Sequence, residues 1–560
     1  MPHIYPLPAA AAAILLLTAS GGPARAQAPT LTALTPAPNA RAVPRSAAVV
    51  ATFSQPLTAA SAGALKVFSG QRGGLRGSAG TVAGPTLSFA PTAYDFRPGE
   101  TVQLTVTRGA ASAGGPLAAP RVQQFTTAVG GTGRGTFAQG FDLASINQPN
   151  AVAIGDVTND NLPDMLATNR NGSTLSWYFG DGRGSYLTRE ELAVGINPAD
   201  VALGDLNGDG NLDFVTANST SGTLSVRLGA GTGVFAPPAG VPEPVVGGNP
   251  TGLALGDLDG DGDLDVVVTG SNGISLVWLL NDGAGNFGPR LVLGGNGDAG
   301  DVALADVDND GDLDALTANG GGLVGVYFNP GTGAFGSLLN LPLSGGPARL
   351  ALGDLDADGL PDVAVSCSSA GTVCLGHNLG GGRFAFGQAL TVGPMPRGVV
   401  LGDVDADGDL DLAVGTFIGQ RLGIWANDGA GVFSSLSTQP ASGNLDGLAL
   451  GDLDNDGDLD LLATSFGTNT LLSRLNDGTG PLALAAAPAR PALAVYPNPA
   501  HGQVQLHLPT AARAELLDAL GRVLRTVPAP AGTATLDVAG LAPGLYLVRA
   551  AGQVARLVVE

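Results

Sequence analysis

What this 560-residue chain has little of limits its chemistry before any motif is read. It carries 26 Lys and Arg against 48 Asp and Glu, and the basic residues form no stripe able to neutralise a phosphate backbone. Nucleic acid is therefore excluded as a partner. No segment past the N-terminus is apolar over the roughly 18 residues that a membrane helix needs, so no transmembrane segment is expected. Long helices are also excluded, because 87 glycines and 39 prolines punctuate the chain throughout. Only two cysteines occur, Cys367 and Cys374, flanking a turn at Ala370-Gly371 that would oppose them on a hairpin. A disulfide and a pair of small buried hydrophobes both suit that spacing. Catalytic residue types are sparse as well. Between residues 129 and 482 there is one histidine, His377, and the glutamates are Glu190, Glu191 and Glu243. No Ser/His/Asp or Cys/His constellation can be assembled, and Glu190 and Glu191, adjacent on a strand, would point opposite ways rather than form a glycosidase pair.

What is present is a carboxylate ladder, Asp-x-Asp-x-Asp-Gly-x-x-Asp or a close variant, seven times over. Its first aspartates fall at 156, 205, 257, 306, 354, 403 and 452, so successive copies lie 48 to 52 residues apart. Self-similarity at this period signals a repeat architecture. Thirty of the 48 acidic residues lie inside the ladders, and such crowding of like charge is unfavourable unless a cation neutralises it. Seven divalent ions would bring the net charge of −22 to about −8.

In the purest copy Asp257, Asp259, Asp261 and Asp265 supply side-chain oxygens at positions 1, 3, 5 and 9, with the Asp263 carbonyl at position 7. Gly262 allows the sharp turn that gathers them. Equivalent sets are Asp306, Asp308, Asp310, Asp312 and Asp314; Asp403, Asp405, Asp407, Asp409 and Asp411; and Asp452, Asp454, Asp456, Asp458 and Asp460. Asp354, Asp356, Asp358, Leu360 and Asp362 form a fifth, and Asp205, Asn207, Asp209, Asn211 and Asp213 a sixth with a neutral oxygen at position 3. The first copy is the poorest: Asp156, Asp160 and Asp164 remain, but Thr158 stands at position 3 and Asn161 replaces the glycine. Six to eight oxygens in a flexible loop suit Ca²⁺ better than Mg²⁺. Up to seven Ca²⁺ are expected, at five or six well-formed sites, and soft metals are not, since no Cys or His is expected near these positions.

Each repeat reads as four short strands, as in Val201-Ala-Leu-Gly-Asp, Asp265-Val-Val-Val-Thr and Ser275-Leu-Val-Trp-Leu-Leu, with a Gly-rich turn such as Asn281-Asp-Gly before the fourth. The ladder and this strand order resemble the FG-GAP (VCBS) repeats, which include the calcium-binding blades of integrin α propellers. The resemblance covers about 135–482 and implies an all-β, seven-bladed β-propeller. An aromatic opens the fourth strand at Tyr186, Phe235, Phe287, Phe335, Phe384 and Phe433, and also at Phe137, ahead of the first ladder. A strand at 137–144 is therefore expected to complete the last blade.

The flanks differ in texture. Residues 1–26, with an apolar run from Ala9 to Thr18 and Ala24-Arg25-Ala26 before Gln27, read as an export signal. Residues 29–128 alternate short strands with turns, and phrases such as Val49-Val-Ala-Thr-Phe53 and Pro98-Gly-Glu100 resemble the bacterial Ig-like domain, here expected as a β-sandwich spacer. Residues 483–492 read as an Ala/Pro linker. In 493–560 the phrases Tyr496-Pro-Asn-Pro499, Leu517-Asp-Ala-Leu-Gly-Arg522 and Gly544-Leu-Tyr-Leu-Val548 resemble the type A sorting domain of type IX secretion, a further small β-sandwich. That resemblance implies the type IX machinery as a partner and attachment at the bacterial outer-membrane surface.

One third-strand position varies between repeats, and Tyr178, Arg227, Tyr327, Trp425 and Arg474 at it are candidates for ligand contact or for packing between blades. The function expected is a secreted or cell-surface, monomeric, non-enzymatic protein recognising an extracellular glycan or protein. The alternatives are a polysaccharide lyase or hydrolase on the same scaffold and a purely structural surface-layer spacer.

Overall fold

The computed structural model describes residues 26–72, 80–91, 95–144, 147–272, 275–294, 297–476 and 494–559, except 497–499, 501, 509–511, 519–521, 530–531 and 551–552 within the last stretch. The export signal, the 483–492 linker and the Pro-Asn-Pro phrase lie outside the described residues. The chain divides into two units, 1–481 and 482–560.

Seven four-stranded antiparallel sheets fill the repeat region. In the third repeat the first strand, Asn249–Gly256, ends at the acidic loop, and Asp265–Ser271 leaves it. Leu276–Leu279 and Leu291–Leu293 follow outward. The second strands are buried along their length, as in Asp314–Asn319 and Asp411–Thr416. Apolar and β-branched residues run through them without a polar alternate, because both of their faces pack against neighbouring sheets. The outermost strand is short and exposed at Leu291–Leu293, which limits edge-to-edge pairing.

The seventh sheet draws on both ends of the region. Leu445–Gly451, Asp460–Ser465 and Thr470–Leu475 are joined by Ala138–Ala144, with Leu143 opposite Leu471. The seventh repeat also packs against the first: Thr464 Oγ1 donates to the Asn150 carbonyl at 3.0 Å, and Tyr186 Oη to that of Leu453 at 3.5 Å. Phe137 is buried against Leu422, Ile424 and Leu461. Not every aromatic opens a strand as expected. Phe287 and Phe335 sit in loops, ahead of fourth strands that begin only at Leu291 and Leu338.

The N-terminal part is a sandwich of two sheets. One is built from Leu31–Thr35, Val49–Phe53, Thr86–Phe89 and Thr81–Ala83, the other from Leu65–Ser69, Thr101–Val106 and Arg121–Thr126. Val49, Phe53, Val67, Leu87, Leu104 and Phe125 form their shared core. Instead of a free spacer, this sandwich is docked on the acidic loops. Phe68 is buried with Leu206 and Leu264, and Val122 with Leu258 and Leu313. Backbone bonds tie it down, Val122 N–H to Gly311 O at 2.7 Å, Gly130 N–H to Gly457 O at 3.0 Å and Asp156 N–H to Gln71 O at 3.0 Å. Apolar side chains that alternation alone places on the outside of the sandwich are buried by this second contact.

The C-terminal unit is a small sandwich of its own. A sheet of Ala494–Tyr496, Gln503–Leu508 and Gly532–Asp537 shares a core with one of Val523–Ala529, Ala512–Leu517, Gly544–Ala550 and Gln553–Val559. Val504, Leu506, Leu516, Leu536, Val548 and Leu557 fill it.

Candidate metal centres

Each acidic loop is held by one hydrogen-bonding scheme, and the ladder spacing dictates it. The position-1 carboxylate turns back over the loop: Asp257 accepts from Gly260 N–H at 2.8 Å and Gly262 N–H at 2.9 Å. Asp306, Asp354 and Asp403 accept from Gly311, Gly359 and Gly408 in the same way. Position 5 accepts the N–H two residues on, Asp261 from Asp263 and Asp407 from Asp409. Such short-range side-chain to backbone bonds set the turn locally. The position-9 carboxylate, at the start of the buried second strand, spans two elements. Asp265 accepts Leu258 N–H on Oδ2 and Asn281 N–H on Oδ1, both at 2.8 Å.

Two backbone positions must be left-handed. Position 6 has φ of +88° to +100° in the six glycine copies, and Asn161 takes +69° in the first. Position 4 has the same requirement, which sequence reading missed: Asn159, Gly208, Gly260, Asn309, Ala357, Ala406 and Asn455 all have positive φ. Frequent Asn and Gly there was the available signal.

These bonds bring carboxylates together. Oxygens of Asp257, Asp259 and Asp265 lie within 4.8 Å of one another, as do those of Asp306, Asp308 and Asp314, and of Asp403, Asp405 and Asp411. In the fifth loop Asp354, Asp356 and Asp358 converge likewise. Several buried oxygens in the loops, including Asp354 Oδ1, Asp405 Oδ1 and Asp452 Oδ1, accept no hydrogen bond. Convergent hard oxygens with unused lone pairs fit a divalent cation, and positions 1, 3, 5 and 9 would hold it. Burial drives the position-9 carboxyls far above the usual range, Asp265, Asp314, Asp411 and Asp460 to about 8 and Asp164 and Asp213 to about 7. The N–H donors oppose that rise and neighbouring carboxylates add to it. A cation would reverse it.

The position-7 side chains do something else. Asp263, Asp312 and Asp409 lie over Gly283, Gly331 and Gly429 of the Gly-rich turn, where a Cβ would displace their carboxylates. Asp458 instead accepts Thr132 N–H at 3.1 Å. In the second loop Asn207 Nδ2 donates to Asp209 at 3.1 Å, and Asn211 accepts from Asn159 Nδ2 at 2.7 Å. In the first, Thr158 Oγ1 donates to Asp156 at 3.3 Å, and Asp160 accepts Leu162 N–H at 2.9 Å.

The docked sandwich brings its own cations. Arg41 pairs with Asp409 at 3.2 Å and Arg121 with Asp306 at 3.7 Å. Arg97 is 4% exposed and donates to Asn455 Oδ1 at 3.1 Å and to the Asn161 carbonyl at 2.5 Å, bridging the seventh and first loops. Sequence reading missed these residues because their partners lie more than 60 positions away.

One expectation is corrected. His377, on the third strand of the fifth repeat (Thr372–Asn378), fills the space over Gly431, but its Nδ1 also lies 3.4 Å from Asp356 and 3.5 Å from Asp362. A nitrogen ligand therefore does stand beside the fifth loop. The third-strand candidates are all buried: Tyr178 beside Leu453 and Leu462, Tyr327 beside Val267 and Trp278, Trp425 beside Leu375 and Leu390. Arg227 pairs with Glu243 at 2.9 Å and Arg474 with Asp142 at 2.8 Å. Both cysteines are free thiols, their sulfurs 2.9 Å apart on a diagonal across the hairpin.

Comparison with known families matches an FG-GAP-like repeat at residues 156–216, 205–268, 257–317, 306–365 and 354–414. A bacterial Ig-like domain matches 25–127, and a secretion system C-terminal sorting domain matches 494–559. No curated protein matches the chain. Among solved structures, BBS1N in complex with ARL6DN is similar at 15% identity and a TM-score of 0.46, over 62% of this chain and 99% of that one. A catalytically inactive virginiamycin B lyase from Staphylococcus aureus, with quinupristin, is similar at 13% and 0.43, over 60% and 99%. Likenesses at this level carry no inference about activity. Among the described residues no helix is long and apolar enough to cross a membrane. The sorting domain supports an extracellular or surface location. This chain joins a bacterial Ig-like domain, FG-GAP-like repeats and a secretion system C-terminal sorting domain.

Proposed function

We propose that residues 129–476 form a closed seven-bladed propeller whose acidic loops bind Ca²⁺, and that the secreted protein recognises an extracellular glycan or protein without chemical turnover. Closure is supported by the Ala138–Ala144 strand in the seventh sheet and by the bonds from that sheet to the first. Calcium is supported by the convergent carboxylates and by buried loop oxygens that accept no hydrogen bond. The sorting domain supports export by the type IX machinery and display at the outer-membrane surface.

One observation carries the non-enzymatic reading. The loop carboxylates are committed to backbone N–H groups in the same way in repeat after repeat, which is how a brace behaves. Catalytic acids are instead singular and poised against one another. An enzymatic reading has one observation in its favour, Arg349, Arg397 and Asp446 grouped at a cavity away from the loops. There Arg349 and Asp446 neutralise each other rather than stand apart as acid and base.

The test is an array of glycans and matrix proteins probed with the full chain in millimolar calcium and in chelator. Calcium-dependent retention of intact ligand is expected. Release of shortened product would replace recognition with a lyase or hydrolase, and no retention on any surface would leave the structural spacer.

A further inference from the structure

The place occupied by His377 is one of apolar packing. It is the penultimate position of the third strand, and the matching residues of the other repeats are Phe179, Leu228, Leu280, Phe328, Ala426 and Leu475. Their side chains cover a glycine of the next repeat's Gly-rich turn. Leu280 covers Gly333, Phe328 covers Gly382, and His377 covers Gly431 with its Cε1 edge. Packing here asks only for a ring or a branched apolar chain, and the imidazole nitrogens are surplus to it.

The acidic loop has a use for one of them. Nδ1 lies 3.4 Å from Asp356 Oδ2 and 3.5 Å from Asp362 Oδ2, and it is buried with no hydrogen-bond partner. A buried nitrogen left so is costly unless an ion completes it. One ligand atom from each of the three residues lies within 4.8 Å of the others. Backbone groups hold the carboxylates: Asp358 N–H donates to Asp356 Oδ1 at 3.2 Å, and Asn378 N–H to Asp362 Oδ1 at 2.7 Å. The grouping is peculiar to this loop among those described. In the third, fourth and sixth loops positions 1, 3 and 9 converge, whereas in the fifth position 1 groups with 3 and 5, and positions 3 and 9 group with the imidazole.

The spacing is that of ligands around one small ion. Bonds of about 2.0–2.1 Å to a tetrahedral zinc set its ligand atoms roughly 3.3–3.4 Å apart. Such an ion sits in the interstice between its ligands, closer than the roughly 2.7–3.2 Å that a hydrogen-bonded water or hydroxyl needs. The close packing around Nδ1 therefore admits it while excluding larger ligands. The side chains of His377 and Asp356 are each 28% exposed, which gives the ion a route from solvent. Nitrogen is a poor donor for Ca²⁺ or Mg²⁺, but imidazole together with carboxylates suits zinc.

From this geometry we infer that the fifth loop binds one transition-metal ion of the zinc class through His377 Nδ1, Asp356 and Asp362. Nδ1 gives its lone pair to the ion, and the ring proton resides on Nε2. The inference rests on the reading that the loops gather cations, and it makes this loop chemically distinct from its calcium-binding neighbours.

The test uses the full untagged chain, stripped with chelator, returned to millimolar calcium and titrated calorimetrically with Zn²⁺ alone. One equivalent is expected to bind in spite of the calcium. His377→Phe and His377→Leu put into the slot the side chains that other repeats carry there, so the metal-free thermal midpoint should not fall. Zinc affinity should drop by more than roughly a hundredfold, since even the outer partners of a metal ligand are worth roughly 10–100-fold. Replacing both thiols, Cys367→Ala with Cys374→Ala, should leave zinc binding intact, and Co²⁺ in the parent chain should show visible bands without the near-ultraviolet band of a thiolate ligand. Zinc binding that survives both His377 variants, or is lost with the cysteines, would overturn the site. No zinc bound while calcium still raises the thermal midpoint would overturn the inference and leave the calcium reading standing. A midpoint that calcium leaves unmoved would instead remove the calcium reading, and zinc lost with His377 would still support this site.

Discussion

Asn427 shows how much one side chain can hold between repeats. Its Nδ2 donates to the Leu355 carbonyl of the preceding repeat at 2.8 Å and to that of Leu410 at 3.1 Å, and its Oδ1 accepts Gly431 N–H at 3.1 Å. Asn281, Asn329, Asn378 and Asn476 make the same inter-sheet bonds, while Gly180 and Gly229 stand at this place in the first two repeats. Asn427→Ala leaves two buried carbonyls short of a donor, a loss of about 2–4 kcal/mol. A lowered denaturant midpoint with unchanged slope is expected, and Asn286→Ala in an exposed turn should change little. Equal midpoints for the two variants would refute the staple.

The unit above the residue is the acidic loop, and its electrostatics fix a pH dependence. Burial raises six of the seven position-9 carboxyls to about 7–8 and Asp362 to about 6, above an unfolded value of 3.8. At pH below the unfolded value both states are protonated. Between that value and the folded one, the unfolded chain gives up its protons while the metal-free fold keeps them. Stability is therefore present in acid and lost as pH rises to about 8, by up to about 1.4 kcal/mol per pH unit for each group. The thermal midpoint in chelator should fall between pH 5 and pH 8. Calcium, which binds the ionised loops, should shrink or reverse that fall, since an ion held at 100 times its Kd adds about 2.7 kcal/mol per site. A midpoint in chelator that climbs over this range would contradict the account.

For the whole N-terminal unit, coupling runs through the docked sandwich. Arg97 joins the first and seventh loops from outside the repeats, and Leu475 of the last repeat packs over Gly184 of the first. Arg97→Ala removes bonds from a buried charged donor, a loss of about 2–3 kcal/mol. Calorimetry of the parent chain should show the sandwich and the repeats unfolding together, and in the variant the sandwich should melt earlier as a separate peak. An unsplit, unshifted transition would show that the sandwich is held by its apolar contacts at Phe68 and Val122 instead.

How much of this was legible in the chain follows from range. The ladder at Asp257–Asp265 specifies its own loop, because each carboxylate bonds backbone within a few residues and the left-handed glycine admits the turn. Repetition of that local rule yields seven similar sheets, and Phe137 marks the strand that joins the seventh. Other outcomes depended on elements meeting in space. Arg41, Arg97 and Arg121 look like ordinary surface charges until a sandwich sets them on loops more than 60 residues away. Tyr178 and Trp425 interrupt a pattern and so look available, yet neighbouring sheets bury them. Arg397 and Asp446 belong to no motif at all. By itself the sequence determined the acidic turns and the strand order, whose causes are local; only tertiary packing decided which faces were covered and which polar groups remained without partners, since burial is a property of surfaces brought together.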